Sequence, residues 1–560
     1  MVDSPDMTTV ADLAERFHTS WLEAHPFTAT TYGVPGYDHL MPDDSEEGDD
    51  RRRRALRSFL SEAEGLGQSD SSADDSVTLG CLRSQAEQEL AGLESAPLEH
   101  TVTPMPFTGP ASFLGLAART VIANAEDAHN YVTRLRSSGD WLDQLTGRLK
   151  IGAGKDRLPV APLVELTIAW ADEVLGQEVP AALSTPEPPA GWDGEAAWRE
   201  ERDEAVRTTF RPALGRWVQT LRQLLPRCRP MEHAGLRYLP GGEDDYLRSI
   251  LVHTTLPLTA EELHRTGLEQ IEILEERARQ LGAELGLGTL EDIHREARTA
   301  AAELAPEAAI EQAVQAVRRA EARAPEVFPE PLPPPCAVTP MPPVVGDSGM
   351  APHYTPPRLD GSRPGTYWFN TRMPTAGTGW DLEAVAFHET VPGHHLQLSR
   401  IQQLSHLPSL QRQRSLTVFS EGWGLYAEQL SEEIGLYTDA RSVIGAITAS
   451  LMRAARLVLD TGIHHLGWSR QEALSFYAAH VPMPAEFLAA EIDRYIIIPG
   501  QALAYMTGRL ELLRLRDVAR RRLGDRFTLP GFHAAVLDQG SLPLPVLRDS
   551  IDRWLATQAG

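Results

Sequence analysis

The strongest constraint on this chain is helical periodicity. Apolar residues recur at helical spacing over Thr9 to His25, Arg52 to Leu66, Ser76 to Leu93, Ala111 to Ser137, Gly194 to Leu225 and Thr259 to Leu281, and Pro or Gly punctuates the runs. Such a period puts an apolar stripe along each segment, and stripes of this kind are buried by packing helix on helix. A mainly α fold is expected, a large helical body with a central cleft. Strand character is confined to Arg363-Pro-Gly-Thr-Tyr-Trp-Phe-Asn370, which is aromatic, bounded by Pro and Gly, and preceded by an extended Pro331-Leu-Pro-Pro-Pro335. A small β element near 354–372 follows from this. Segments 41–50 and 184–193 read as loops. Gly152-Ala-Gly-Lys155 is too short for a phosphate loop and lacks the Ser or Thr after Lys, so it reads as a turn. No long linker divides the 560 residues. Three regions of one continuous fold are expected: 1–330 as one cleft wall, 331–375 as a Pro-rich segment with short strands, and 376–560 as a helical catalytic region.

The chemistry is carried by Phe387-His-Glu-Thr-Val-Pro-Gly-His-His395. Zinc takes neutral imidazole nitrogens and keeps one open position in hydrolytic sites, where a Glu beside a ligand can serve as base toward water. His388 is the expected ligand and Glu389 the expected base. In the common His-Glu-x-x-His pattern the ligands lie four apart on one helical face. Here His394 is six along and His395 seven. On a straight helix, six residues at roughly 100° each leave His394 well round the axis, and seven return His395 to the face about 10 Å further along. Pro392 cannot donate to the carbonyl of His388, and Gly393 loosens the same turn. A bulge at Thr390-Val391-Pro392 is therefore expected to swing His394 to the metal, with His395 as the alternative ligand.

A third ligand is expected from Ser420-Glu-Gly-Trp-Gly-Leu-Tyr-Ala-Glu428. Glu421 and Glu428 are seven apart and share a helical face, so Glu421 is assigned to the metal and Glu428 to orienting a ligand His, or to an Arg salt bridge. Gly422 and Gly424 would let this helix approach the metal helix closely. Further on, Glu491 to Tyr505 reads as an apolar helix kinked at Pro499-Gly500. Tyr495 and Tyr505 are candidates to present a phenol to an oxyanion, and Arg494 to anchor a substrate carboxylate, each against a plain packing role. Asn370 and Arg372 are further candidates for substrate contact, and the strand 363–370 for holding a peptide along its edge.

These segments resemble the bacterial DUF885 family, which is grouped with zinc metallopeptidases of the His-Glu-x-x-His superfamily. The resemblance covers Tyr354-Thr-Pro-Pro357 to Asn370, the metal helix around His388, the Ser420–Trp423 segment, and Tyr495 to Gly508 with its Pro499-Gly500-Gln501; residues before about 330 share general helical character. It implies a helical metallopeptidase with one zinc per chain, in which Glu389 activates water for attack on a short peptide or peptide-like amide. Setting the Gly-His of the family pattern on Gly393-His394 requires two extra residues here. Two alternatives stand beside it: a metal-dependent tailoring hydrolase of a non-peptide amide or ester, and a non-catalytic metal-containing binding protein.

Charge narrows the partners. With 78 acidic against 52 basic residues and a formal charge of −26, neither nucleic acid nor an anionic membrane surface is an expected partner. The Arg51–Arg54 run beside Asp49-Asp50 reads as a solvated face. Cys81, Cys228 and Cys336 lie far apart with no paired spacing, which fits a reducing compartment. The stretch Met1-Val-Asp-Ser-Pro-Asp-Met7 has neither the basic nor the apolar region of a signal peptide, and no run approaches the roughly 18–20 consecutive apolar residues of a membrane span. A cytoplasmic location is expected, and the oligomeric state is left open.

Overall fold

Helices start where a side chain can cap them. In the computed structural model, which describes residues 9–67, 72–341, 351–359, 361, 363–371 and 379–559, Thr9 and Asp12 form a reciprocal capping box at the head of α1 (Val10–Ala24). The Met1–Met7 stretch and Arg372 lie outside the described residues. Helix α2 (Glu46–Gly67) begins inside the segment expected to be a loop, because Glu46, Glu47 and Asp49 occupy its first turn, where negative charge meets the positive helix end. Ser72 and Asp75 cap α3 (Ala73–Ser95). The run expected over 111–137 is broken into α4 (Gly109–Ala117) and α5 (Ala125–Gly154), with Asn124 capping the second. Helix α5 also takes in Gly152-Ala-Gly154, expected to be a turn: a Cβ on Gly152 would lie 2.2 Å from the carbonyl oxygen of Glu99, so the glycine serves close packing. Thr259 and Glu262 cap α6 (Ala260–Glu284), and α7 (Pro306–Val327) leads to the Pro-rich segment.

Three short strands follow: β1 (Ala337–Pro340), β2 (His353–Thr355) and β3 (Thr366–Phe369), in the order β1-β3-β2. β3 runs parallel to β1 and antiparallel to β2. The strand expected to offer an edge to a peptide is thus the middle one, with both edges paired; the outer positions belong to β1 and β2.

The rest of the chain builds the interior. It comprises α8 (Leu382–Glu389), α9 (His394–Gln403), α10 (Thr417–Glu433), α11 (Ala440–Thr461), α12 (Ala485–Ile497), α13 (Ala504–Leu523) and α14 (Leu544–Ala559), among shorter helices. One apolar cluster joins Leu13 and Phe17 of α1 and Leu82 of α3 to Phe387, Trp423 and Leu555, so both ends of the chain share a core. A second packs Leu263 and Ile271 of α6 on Leu451 and Val458 of α11 and on Ile492 of α12. The expected kink at Pro499-Gly500 is a break between α12 and α13.

Helix α11, with the turn that extends it to Leu466, is long and apolar enough to cross a membrane, yet 83% of its most apolar window is buried in the protein. It is the central core helix. Glycines set how near its neighbours come: a Cβ on Gly267 would sit 2.7 Å from Val458 Cγ2, and one on Gly445 1.9 Å from the carbonyl oxygen of Trp380. Helices α10 and α13 cross at Gly422 and Gly508, where a Cβ on Gly508 would lie 2.0 Å from the carbonyl oxygen of Val418. Gly508→Ala is therefore expected to cost about 2 kcal/mol or more through overpacking, read as a lower urea midpoint. Gly215→Ala is the contrasting case. It lies within the helix Arg211–Leu224 with nothing within 4 Å of an added Cβ, and is expected to raise stability by about 0.5–1 kcal/mol in the same titration.

Candidate metal centre

The two histidines of the motif are brought together by a break. Helix α8 stops at Glu389 and α9 begins at His394; Thr390 (φ −114°, ψ −112°) and Gly393 (φ −81°, ψ −130°) both leave helical geometry, and the Val391–Pro392 peptide is cis. The bulge expected within one helix is thus a full interruption between two. Its backbone is stitched by Gly393 N–H donating to the Phe387 carbonyl (3.0 Å), Leu396 N–H to the Thr390 carbonyl (3.3 Å) and the Trp423 indole N–H to the Pro392 carbonyl (2.9 Å). A Cβ on Gly393 would fall 1.9 Å from the carbonyl oxygen of His388, so only glycine fits there. The result sets the rings of His388 and His394 edge to face, centroids 4.6 Å apart.

Helix α10 supplies the rest from one face. The imidazole of His388 lies directly over Gly424, where a Cβ would be 2.4 Å from its Cε1. Glu421 and Glu428, one turn to either side of that glycine, bracket the ring: Nδ1 of His388 donates to Glu428 Oε1 at 2.8 Å, and Nε2 lies 3.4 Å from Glu421 Oε2. Nε2 of His394 lies 3.6 Å from the same Glu421 oxygen. Ligand atoms of His388, His394 and Glu421 all fall within 4.8 Å of one another.

That donor set fits a divalent ion. Ligands about 2.0–2.1 Å from a tetrahedral centre stand roughly 3.3–3.4 Å apart, close to the 3.4 and 3.6 Å that separate the two imidazoles from the Glu421 oxygen and longer than a firm hydrogen bond. Two imidazoles and one carboxylate match the ligands of hydrolytic zinc, and a ligand imidazole held through its other nitrogen by a carboxylate is the usual second partner. Burial works against charge on His388, but hydrogen bonds to Glu421 and Glu428 prevail and raise its pKa to about 9. Burial likewise opposes ionisation of Glu421, and its bonds to His388 and His394 carry its pKa well below the ordinary range. The carboxylates thus call for positive charge at the point where the imidazoles meet.

The remaining expected residues divide. Glu389 stands at the end of α8, and its Oε2 accepts the backbone N–H of Tyr354 in β2 at 2.7 Å. Tyr505 is half-buried at the start of α13, one turn before the Gly508 crossing, with the Arg456 guanidinium 4.4 Å over its ring; its hydroxyl has no hydrogen-bond partner among the described residues. His395 points away from the centre: its Nε2 donates to the Pro334 carbonyl (2.7 Å) and its Nδ1 accepts from the Tyr354 hydroxyl (3.0 Å), so both nitrogens are spent and it does not serve as the alternative ligand. Tyr495 is buried, its hydroxyl donating to Glu491 (2.7 Å) and accepting from Arg456 (3.1 Å), which leaves no proton for an oxyanion. Arg494 spends its guanidinium on Glu491 (3.0 Å) and Gln501 (2.6 Å), and Asn370 is fully buried at the end of β3; neither offers the substrate contact expected of it.

Sequence reasoning missed Tyr354, which steadies Glu389 through its main chain, and Arg453, which lies 3.9 Å from Glu428 and partly balances it. The first carries no side-chain signature. The second sits in an apolar helix where Arg is conspicuous.

The family described as "Bacterial protein of unknown function (DUF885)" matches residues 26–551. The chain belongs to this family. No curated protein matches it. Among solved structures, "the putative lipoprotein from Colwellia psychrerythraea" is similar to this DUF885 protein at a TM-score of 0.88 and 24% identity, over 98% of this chain and 99% of that one. "A putative lipoprotein of unknown function from Shewanella oneidensis" is similar at a TM-score of 0.74 and 14% identity, over 97% and 99%. The cytoplasmic location expected from cysteine usage does not stand beside these: both proteins sharing the fold over nearly their whole length are called lipoproteins, a class attached to membranes outside the cytoplasm.

Three substitutions test the centre in a zinc competition titration. His394→Ala is expected to abolish tight binding, and His395→Ala to retain it. Glu428→Ala is expected to weaken it by about 10–100-fold, since it orients a ligand without touching the ion.

Proposed function

We propose that this DUF885 protein is a zinc-dependent hydrolase of peptide or peptide-like amide bonds. The observation that supports the reading is that ligand atoms of His388, His394 and Glu421 lie within 4.8 Å of one another, with Glu389 next to His388 at the end of α8. A closed structural zinc takes four protein ligands, whereas three with an open position mark a catalytic one. Among the described residues the cluster has three.

His388, His394 and Glu421 would hold the ion, and Glu428 would fix the tautomer of His388 by accepting its Nδ1 proton. A divalent ion held there supplies Lewis acidity, polarising a carbonyl and making water a stronger acid. Glu389 takes the proton from the attacking water and returns it to the leaving amine, a transfer helped by the Tyr354 N–H that fixes one carboxylate oxygen and leaves the other available. The hydroxyl of Tyr505 is the remaining donor for the developing oxyanion, and Arg456 over its ring holds the side chain in place.

Turnover of a peptide library with free and blocked termini, read by mass spectrometry beside metal content, tests the reading. Glu389→Gln is expected to keep zinc at the parental level and to lose about 10²–10⁴-fold in rate. A variant that turns over at the parental rate removes Glu389 as the base, and parental protein that takes up no zinc removes the hydrolase.

A further inference from the structure

Beside the metal centre lies a cavity of about 90 Å³ whose lining is unusual for so acidic a chain. Its floor is apolar, with Leu359, Leu398 and Ile401 among its lining residues. Its charged residues are all of one sign. Arg358, Arg363, Arg412 and Arg414 line it, with no Asp or Glu among the described residues that do, in a protein of formal charge −26.

Two of these arginines define what the pocket lacks. Arg414 donates to Glu89 at 2.5 Å and to Gln85, and is thereby held in place. Arg412 uses only its Nε, which donates to the Leu407 carbonyl at 2.8 Å; its two terminal nitrogens have no hydrogen-bond partner among the described residues. A planar guanidinium fork beside an apolar floor is the arrangement that takes a carboxylate in two parallel hydrogen bonds while the group's hydrocarbon part is desolvated below.

Two helices run from the pocket toward the metal centre. Leu398 and Ile401 lie four and seven residues beyond His394 on α9, on the same face, so the floor runs from about one turn past that ligand. Ser415, on the rim, leads into α10. A larger cavity of about 510 Å³ shares Tyr32, Arg414 and Ser415 with the first and is also lined by Thr417, one turn ahead of Glu421 on the same face. Thr355, in the pocket wall, directly follows the Tyr354 whose N–H holds Glu389.

We infer that this pocket is a subsite for a terminal residue carrying a free carboxylate and an apolar side chain, with Arg412 gripping the carboxylate and Leu359, Leu398 and Ile401 the side chain. A space of about 90 Å³ suits one side chain rather than a whole ligand. The inference rests on the hydrolase reading for its meaning, since it makes the substrate a peptide cut near its C-terminus. Its test does not depend on turnover.

Calorimetric titration of the full-length protein, as purified and after chelation, with N-acetyl-L-leucine and N-acetyl-L-leucinamide reads the pocket directly. The acid is expected to bind at least about tenfold more tightly than the amide in both preparations, the preference a charge-assisted bidentate contact gives. Arg412→Gln is expected to erase that preference. Ser415→Asp, an exposed change ahead of a helix N-terminus that the fold tolerates, is expected to weaken the acid alone. Equal binding of acid and amide, no binding of either up to about 10 mM, a preference that survives both substitutions, or one seen only with metal present would overturn the inference. A preference found in a protein that cuts no peptide leaves the subsite standing and removes the hydrolase reading instead.

Discussion

The site depends on a missing side chain. His388 occupies the space that any residue larger than glycine at position 424 would fill, and from there one imidazole reaches two carboxylates, each one turn from Gly424 in opposite directions along α10. Such contact sets the His388 ring directly against the backbone of α10 at Gly424. The other features follow from that approach. Trp423 reaches across to cap the Pro392 carbonyl, Gly393 lets the chain turn back under His388, and Gly422 on the far side of α10 admits α13 equally closely. Helix α10 is thus held between two partners, and its glutamates have no freedom to splay.

Electrostatics then gives the arrangement its purpose. Glu421 and Glu428 are largely or wholly buried and Glu389 is close at hand, while Arg453, at 3.9 Å, and the buried Arg509 offer Glu428 positive charge. Buried carboxylates are costly unless paired. Proton binding to His388 is one answer, and a divalent ion would be a stronger one, because it would meet both imidazoles and the carboxylate at once. Among the described residues, Nδ1 of His394 has no hydrogen-bond partner to match the Glu428 carboxylate that holds His388.

Much of this was legible before any coordinates. The periodic runs gave α1 to within one residue and α3 and α6 to within three, the capped start of α3 lying ahead of its apolar period, and the pair of glutamates seven apart declared a shared face. Pro392 announced a distortion but not its size, since proline forbids one hydrogen bond without saying where the chain goes next. Choosing between His394 and His395 needed the direction of the new helix, which spacing does not contain. Tyr495 and Arg494 looked reactive because Arg456 and Gln501 meet them only in three dimensions, although Glu491, one turn back on the same helix, is a partner the spacing already offers. The acidic start of α2 looked like a loop because charge alone suits either solvent or a helix N-terminus.

Helix α11 has a consequence of its own for biosynthesis. By length and composition alone the segment would suit a bilayer as well as it suits the protein interior where it is buried. Arg453 and Arg456, which in the finished protein face Glu428 and Glu491, would each cost roughly 2.5–3.5 kcal/mol at the middle of a membrane. Either charge opposes passage of the nascent helix into lipid, so replacing both with leucine would make the segment a better membrane span than it is now.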